Sequence, residues 1–203
     1  MSEFASAGLT AGQLNAIVKK LGGHYMALRF LRDELVVSFR SWREKDGIIR
    51  FSVTYDDTVV SDWISRLERE AFRFGDYAKQ VVRSLDFKPT SGVTTEVAIL
   101  KGTLFADNDR ITKNICKEAD KRNLGKPEPE LACLIRLKFT DKEIEEMGLW
   151  YIVAMHEPIN NFGGDGPCFL YANRNSGGRW LDAFGGRPNH KWDRDSGFAF
   201  TVS

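Results

Sequence analysis

The sequence predicts an α+β protein. Residues 1–88 read as a mostly helical module with one small strand, and residues 93–203 as a mixed domain in which two helices flank a small antiparallel sheet. Three observations lead there. Apolar residues recur at helical spacing through most of the first 85 positions. Two strand-like segments, 94–105 and 149–155, bracket further helical patterns. From residue 158 onward, short alternating segments separated by Gly and Asn hold 8 of the 18 glycines and no Glu, Gln or Met.

Taken in order, Thr10 caps a helix whose apolar face is Leu14, Ile17, Val18 and Leu21, and Gly22-Gly23 closes it. A second helix carries Ala27, Phe30 and Leu31. The pair reads as a packing hairpin. A DNA-reading helix-turn-helix stays open, although Arg29 and Arg32 are the only positive charges on the second helix. After Asp46-Gly47, Ile48 to Tyr55 alternates apolar and polar, which is a strand. Ser61 caps a helix to about Phe72, Tyr77 to Leu85 makes another, and Lys88-Pro89-Thr90-Ser91-Gly92 is a linker and boundary.

Thr94 to Phe105 opens the second part as a strand. Asp107-Asn108-Asp109 supplies caps for a helix with Ile111, Ile115 and Ala119 inward. Glu130 to Phe139 is the next helix, and Thr140 with Glu143 forms a capping box before a short one ending at Gly148. Leu149 to Met155 is a strongly apolar run with no charged residue, as a central strand buried on both faces requires. Phe169–Ala172, Arg179–Phe184 and Phe198–Val202 are the closing strands.

Composition narrows the function classes. Lys plus Arg number 29 against 28 for Asp plus Glu, a net charge of +1, which argues against a nucleic-acid partner held through phosphates. The longest apolar run is far short of the roughly 20 residues that span a bilayer, so no membrane partner is expected. Met1-Ser2-Glu3-Phe4 has no basic segment leading into an apolar one, so the expected setting is cytoplasmic. Cys116, Cys133 and Cys168 are widely spaced without a CxxC, and the three histidines are scattered, so neither a disulfide framework nor a zinc site is expected. No cofactor is expected.

Several segments carry a resemblance. The order strand, helix, helix, short helix, apolar strand, Gly-rich excursion, paired strands and terminal strand over 93–203 resembles the C-type-lectin fold. In that fold the first and last strands pair, and the long loop region makes the binding surface. Glu157-Pro158-Ile159-Asn160-Asn161 and Trp180-Leu181-Asp182 resemble its calcium and sugar motifs. Ile159 interrupts the first and Leu181 replaces a ligand in the second. Glu157, Asn160, Asp165 and Asp182 fall short of the six to eight oxygens calcium takes, so no metal is assigned and calcium stays open.

The stretch from Tyr171 to Gly197, in which Trp180, Lys191 and Trp192 stand outside the residues that adenine mutagenesis of Asn codons reaches, is similar to the variable segment of diversity-generating retroelement target proteins. The phrases GVTTEVAILKG, ACLIRLKFTDKEIEEMGLWYIVAMHEP and RWLDAFGGRP are also similar to a group of bacterial proteins that share this framework and carry no assigned activity. The resemblance implies a ligand-recognition protein with a diversified segment at about 169–203. It implies no particular ligand and no particular oligomeric state.

Strand alternation supports such a surface, because successive side chains point to opposite faces. Leu170, Ala172, Leu181 and Ala183 are expected inward, and Asn173, Asn175, Asp182 and Phe184 outward. The candidate ligand-binding residues are Tyr171, Asn173, Arg174, Asn175, Ser176, Arg179, Asp182, Phe184, Arg187, Asn189, His190, Asp193, Arg194 and Asp195, with a protein as the expected partner. Trp180 and Trp192 read as framework. Two alternatives stand beside this: a small hydrolase using His156 and Glu157, and a phage or plasmid protein that blocks a host partner. No HExxH, P-loop or GxSxG motif supports the enzyme, and no catalytic residue is assigned.

Overall fold

The computed structural model describes residues 8–34, 40–160, 166–175 and 177–202. The chain divides into two compact units, Met1–Ser41 and Trp42–Ser203. In the first, α1 (Ala11–Lys20) opens on a capping box between Thr10 and Gln13, and α2 (His24–Leu31) follows two glycines with positive φ, Gly22 and Gly23.

The second unit runs β1 (Arg43–Lys45), β2 (Ile48–Asp56), α3 (Val60–Arg69), β3 (Arg73–Phe74), α4 (Asp76–Val82), β4 (Ser91–Lys101) and a 3₁₀ turn at Gly102–Leu104. It continues with α5 (Thr112–Lys121), β5 (Leu124–Gly125), α6 (Leu131–Lys138), α7 (Asp141–Glu146), β6 (Tyr151–Ala154), β7 (Ile159–Asn160), β8 (Pro167–Asn175), β9 (Gly178–Gly185) and β10 (Ser196–Val202). The protein is thus mixed α and β, with seven α-helices among the described residues. No helix among them is long and apolar enough to cross a membrane.

The sheet is larger than the small antiparallel one expected, and it is mixed. Ten strands join in the order β1-β2-β4-β10-β6-β8-β9-β3, with β5 also on β10 and β7 on β8. β10 is antiparallel to β4, Phe198 facing Leu100, and parallel to β6, Phe198 facing Val153. β3 runs parallel to β9, and the remaining pairs are antiparallel. The extra strands are pieces of two or three residues, too short for a periodicity to mark them, and two of them, β3 and β5, pair with strands far along the chain.

The boundary expected at 88–93 is not where the chain divides. β2 pairs with β4 from Ile48–Leu100 to Asp56–Ser91, which places residues 42–88 in the same sheet as 91–202. The linker-like Lys88-Pro89-Thr90 is tied down instead: the Thr90 amide donates to Glu130 Oε2 at 2.8 Å. Two caps also differ. α3 starts at Val60 with Val59 as its N-cap, which has no side-chain oxygen to offer, and Ser61 lies inside the first turn with its hydroxyl donating to Asp62. α5 starts from Ile111, and Asp107 is drawn to Arg110. The Thr140–Glu143 capping box forms as expected.

Alternation along the central strands makes two cores. Ile99, Ile152, Ala154, Leu170, Ala172, Leu181 and Ala199 pack on one face beneath α3, α4 and α6. Ala98, Leu100, Val153, Met155, Phe169, Phe198 and Phe200 pack on the other with Ile115 and Ala119 of α5. β6 is buried on both faces, which its unbroken apolar run requires. α5 covers only part of the second face. Its uncovered part, over β6, β8 and β9, holds the candidate site.

Candidate functional site

β8 and β9 form a hairpin in which Leu170 faces Ala183, Tyr171 faces Asp182, and Asn173 faces Trp180. Leu170, Ala172, Leu181 and Ala183 are sealed in the core. Tyr171, Asn173 and Asp182 are half-buried on the opposite face, and Phe184 is 54% exposed. Tyr151 of β6 stands beside Tyr171, ring centroids 5.4 Å apart.

The loop after β9 completes this face, and its backbone is pinned along its length. The Lys113 amide donates to Pro188 O, the Thr112 amide to His190 O, and the Trp192 amide to Arg110 O, at 2.9–3.1 Å. The Trp150 amide donates to Asp195 O at 2.8 Å. Trp192 is 5% exposed, packs on Phe198 and Phe169, and donates Nε1–H to the Thr112 hydroxyl at 3.0 Å. Gly102 leaves the space beneath the loop, since a Cβ there would stand 2.6 Å from Arg194 O and 2.8 Å from Asp193 O.

Arg110 is the residue that sequence reasoning missed. Only 5% exposed, it donates Nε–H to Gly102 O at 2.8 Å, Nη2–H to Phe105 O at 3.0 Å and Nη1–H to Trp192 O at 3.5 Å. An arginine after three polar residues reads as a solvated charge. The only available signal is that the flanking Asp107-Asn108-Asp109 run is polar enough to make a tight turn around it.

The side chains on this pinned loop are exposed: Arg187, Asn189, Lys191, Asp193, Arg194 and Asp195. His190 is half-buried, its ring edge-on between Phe184 at 4.9 Å and Trp192 at 4.5 Å. Burial lowers its pKa, so it is neutral at pH 7. The Tyr151 hydroxyl donates to Asp193 Oδ2 at 3.2 Å, and the Tyr171 hydroxyl bonds the Asp182 carboxylate. Burial raises the Asp182 pKa despite that bond and one from the Ala183 amide. A groove of about 330 Å³ runs among Tyr151, Tyr171, Asn173, Phe184, His190 and Asp193.

The structure brings Tyr171, Asn173, Asp182, Phe184, His190 and Asp193 together and leaves other expected residues outside. Arg174 and Arg179 share strand parity with the inward set and turn to the opposite face. Arg174 donates Nε–H to Leu149 O at 2.8 Å and lies over the Trp150 ring at 4.4 Å. Arg179 lies 3.9 Å over Phe72. Both serve the framework. Arg187 lines a neighbouring cleft with Tyr77 and Cys168. Asn175 is placed by its backbone, opposite Gly178. Ser176 and Asp165 lie outside the described residues.

His156 does not sit as a general base would. It is 1% exposed, its Nε2 accepts the Leu170 amide at 3.0 Å, and its Nδ1 donates to Glu157 O at 2.6 Å. Both ring nitrogens hold backbone, while the Glu157 carboxylate is exposed and pairs with Lys126. Burial pushes the His156 pKa down to about 4. The unfolded chain therefore binds this proton before the folded one, and stability falls as pH drops from about 6.5 to about 4. The His156→Gln variant is expected to lose that dependence; urea midpoints of both chains at pH 5 and pH 7.5 check it. Equal pH dependence in the two would contradict the assignment. Among the described residues no group of three His, Cys, Asp or Glu is placed to hold a metal ion.

No family model, curated protein or solved structure matches the chain.

Proposed function

We propose that the chain is a ligand-recognition protein that displays an exchangeable surface on a C-type-lectin-like scaffold, and that its ligand is another protein. The observation that carries this reading is the separation of backbone from side chain after β9. The backbone of 188–195 is held by α5, Arg110 and Trp150, while Asn189, Asp193, Arg194 and Asp195 point to solvent. Loops fixed on rigid sheets are where recognition is usually placed. Pairing of the terminal strand β10 with β4 supports the lectin-like reading, since the resemblance implies that the first and last strands meet.

A protein ligand fits the surface chemistry. Tyr171, Phe184 and His190 offer ring area that needs little further ordering, and exposed Asn and Asp side chains supply adaptable hydrogen bonds. Exchange of outward residues is the feature shared with the variable proteins of diversity-generating retroelements, and this chain is proposed to work in that way.

The test is a displayed library randomised at Phe184, Asn189, Asp193 and Arg194, selected on an unrelated folded protein such as hen lysozyme. Folded members that bind the target with submicromolar affinity are expected. A library whose members are mostly unfolded, or that yields no binder where an established scaffold does, would overturn the reading.

A further inference from the structure

The groove between β6, β8, β9 and the pinned loop has an uneven hydrogen-bond inventory. Its polar floor is rich in acceptors. Asn173 Oδ1 is buried and has no hydrogen-bond donor among the described residues. The Tyr151 and Tyr171 hydroxyls spend their protons on Asp193 and Asp182, which leaves their oxygen lone pairs and the Asp193 carboxylate as acceptors in the groove. Donors are scarce. The Trp192 indole N–H is already given to Thr112, and Lys191 is the one charged donor among the lining side chains. The walls are aromatic: Tyr151, Tyr171, Phe184 and His190.

An aromatic slot lined with acceptors suits a guest that is flat, cationic and all donor. Among protein side chains that is arginine, whose guanidinium carries five N–H donors, accepts nothing, and stacks on rings. Lysine offers three donors but no plane to stack, and a carboxylate would meet Asp193. The groove's volume accommodates a single side chain and not a folded element.

We infer that this groove takes the guanidinium of an arginine presented by the protein ligand, with Asp193 and Asn173 as its acceptors and Tyr171 and Phe184 as its walls. The inference rests on the recognition reading and deepens it. It names the chemistry of the anchor, which the exchangeable residues around it then surround.

A phage-displayed library of 12-residue random peptides, selected on the full chain and counter-selected on the Phe184→Asp variant, tests it. Recovered peptides are expected to share an arginine. Replacing that arginine with citrulline, which keeps the shape and removes the charge, is expected to weaken binding at least tenfold. Asp193→Asn is expected to do the same while leaving the denaturation midpoint unchanged. Face-dependent peptides that lack a shared arginine, or that bind equally with citrulline, overturn the inference and leave the recognition reading intact. A selection that recovers no face-dependent peptide overturns both.

Discussion

Replacing Trp192 with alanine is expected to destabilise the second unit by about 3–5 kcal/mol, the range for truncating a buried large aromatic side chain. The indole fills the space between Phe169, Phe198 and His190 where α5 no longer covers the sheet. Its removal opens a cavity and leaves the Thr112 hydroxyl without its donor. Trp192→Phe keeps most of the packing and gives up the hydrogen bond, which costs about 1 kcal/mol. Denaturation followed by circular dichroism separates the two. Similar losses for both variants would mean that the hydrogen bond, and not the packing, holds the loop.

The second large effect is expected at Arg110. Changing it to methionine retains much of the side-chain volume but leaves the carbonyls of Gly102, Phe105 and Trp192 without their donors. Removing a charged donor from buried acceptors costs about 3 kcal/mol. The loss should be local as well as global, because two of these carbonyls bracket the turn before α5 and the third belongs to the loop. Amide hydrogen exchange is expected to accelerate at Trp192, whose N–H donates to Arg110 O, and at Thr112. Unchanged exchange there would show that the loop is held without Arg110. Its ion pair with Asp107 contributes little to this, since that carboxylate is 87% exposed.

Much of the scaffold was readable because it depends on local chemistry. The Thr140–Glu143 capping box needs two residues three positions apart, and both were visible. The unbroken apolar run at 149–155 identified a strand buried on both faces. Alternation placed Leu170, Ala172, Leu181 and Ala183 inward, and it could also have removed Arg174 and Arg179 from the binding set. They share the parity of those core residues, and their charge obscured it. An arginine can bury its guanidinium over a ring, as Arg179 does on Phe72.

Other features depend on partners far away in the chain. Nothing in Ile48–Tyr55 reports that it will pair with 91–101, so a Pro- and Gly-bearing segment between them reads as a boundary. The Thr90 amide finds Glu130 forty residues on, and that bond turns an apparent linker into a tether. The candidate face was legible as a set of outward side chains. The groove within it was not, because it forms beside the N-terminal end of α5, where Trp192 folds back beneath the loop.

The most direct measurement is a protease-resistance scan of every single substitution from 169 to 195. If the framework is stiff and its outer side chains are free to change, Phe184, Asn189, Asp193, Arg194 and Asp195 accept nearly all residues. Leu170, Ala172, Leu181, Ala183 and Trp192 then accept almost none. A flat profile, or one in which the exposed positions are as restricted as the buried ones, would contradict it.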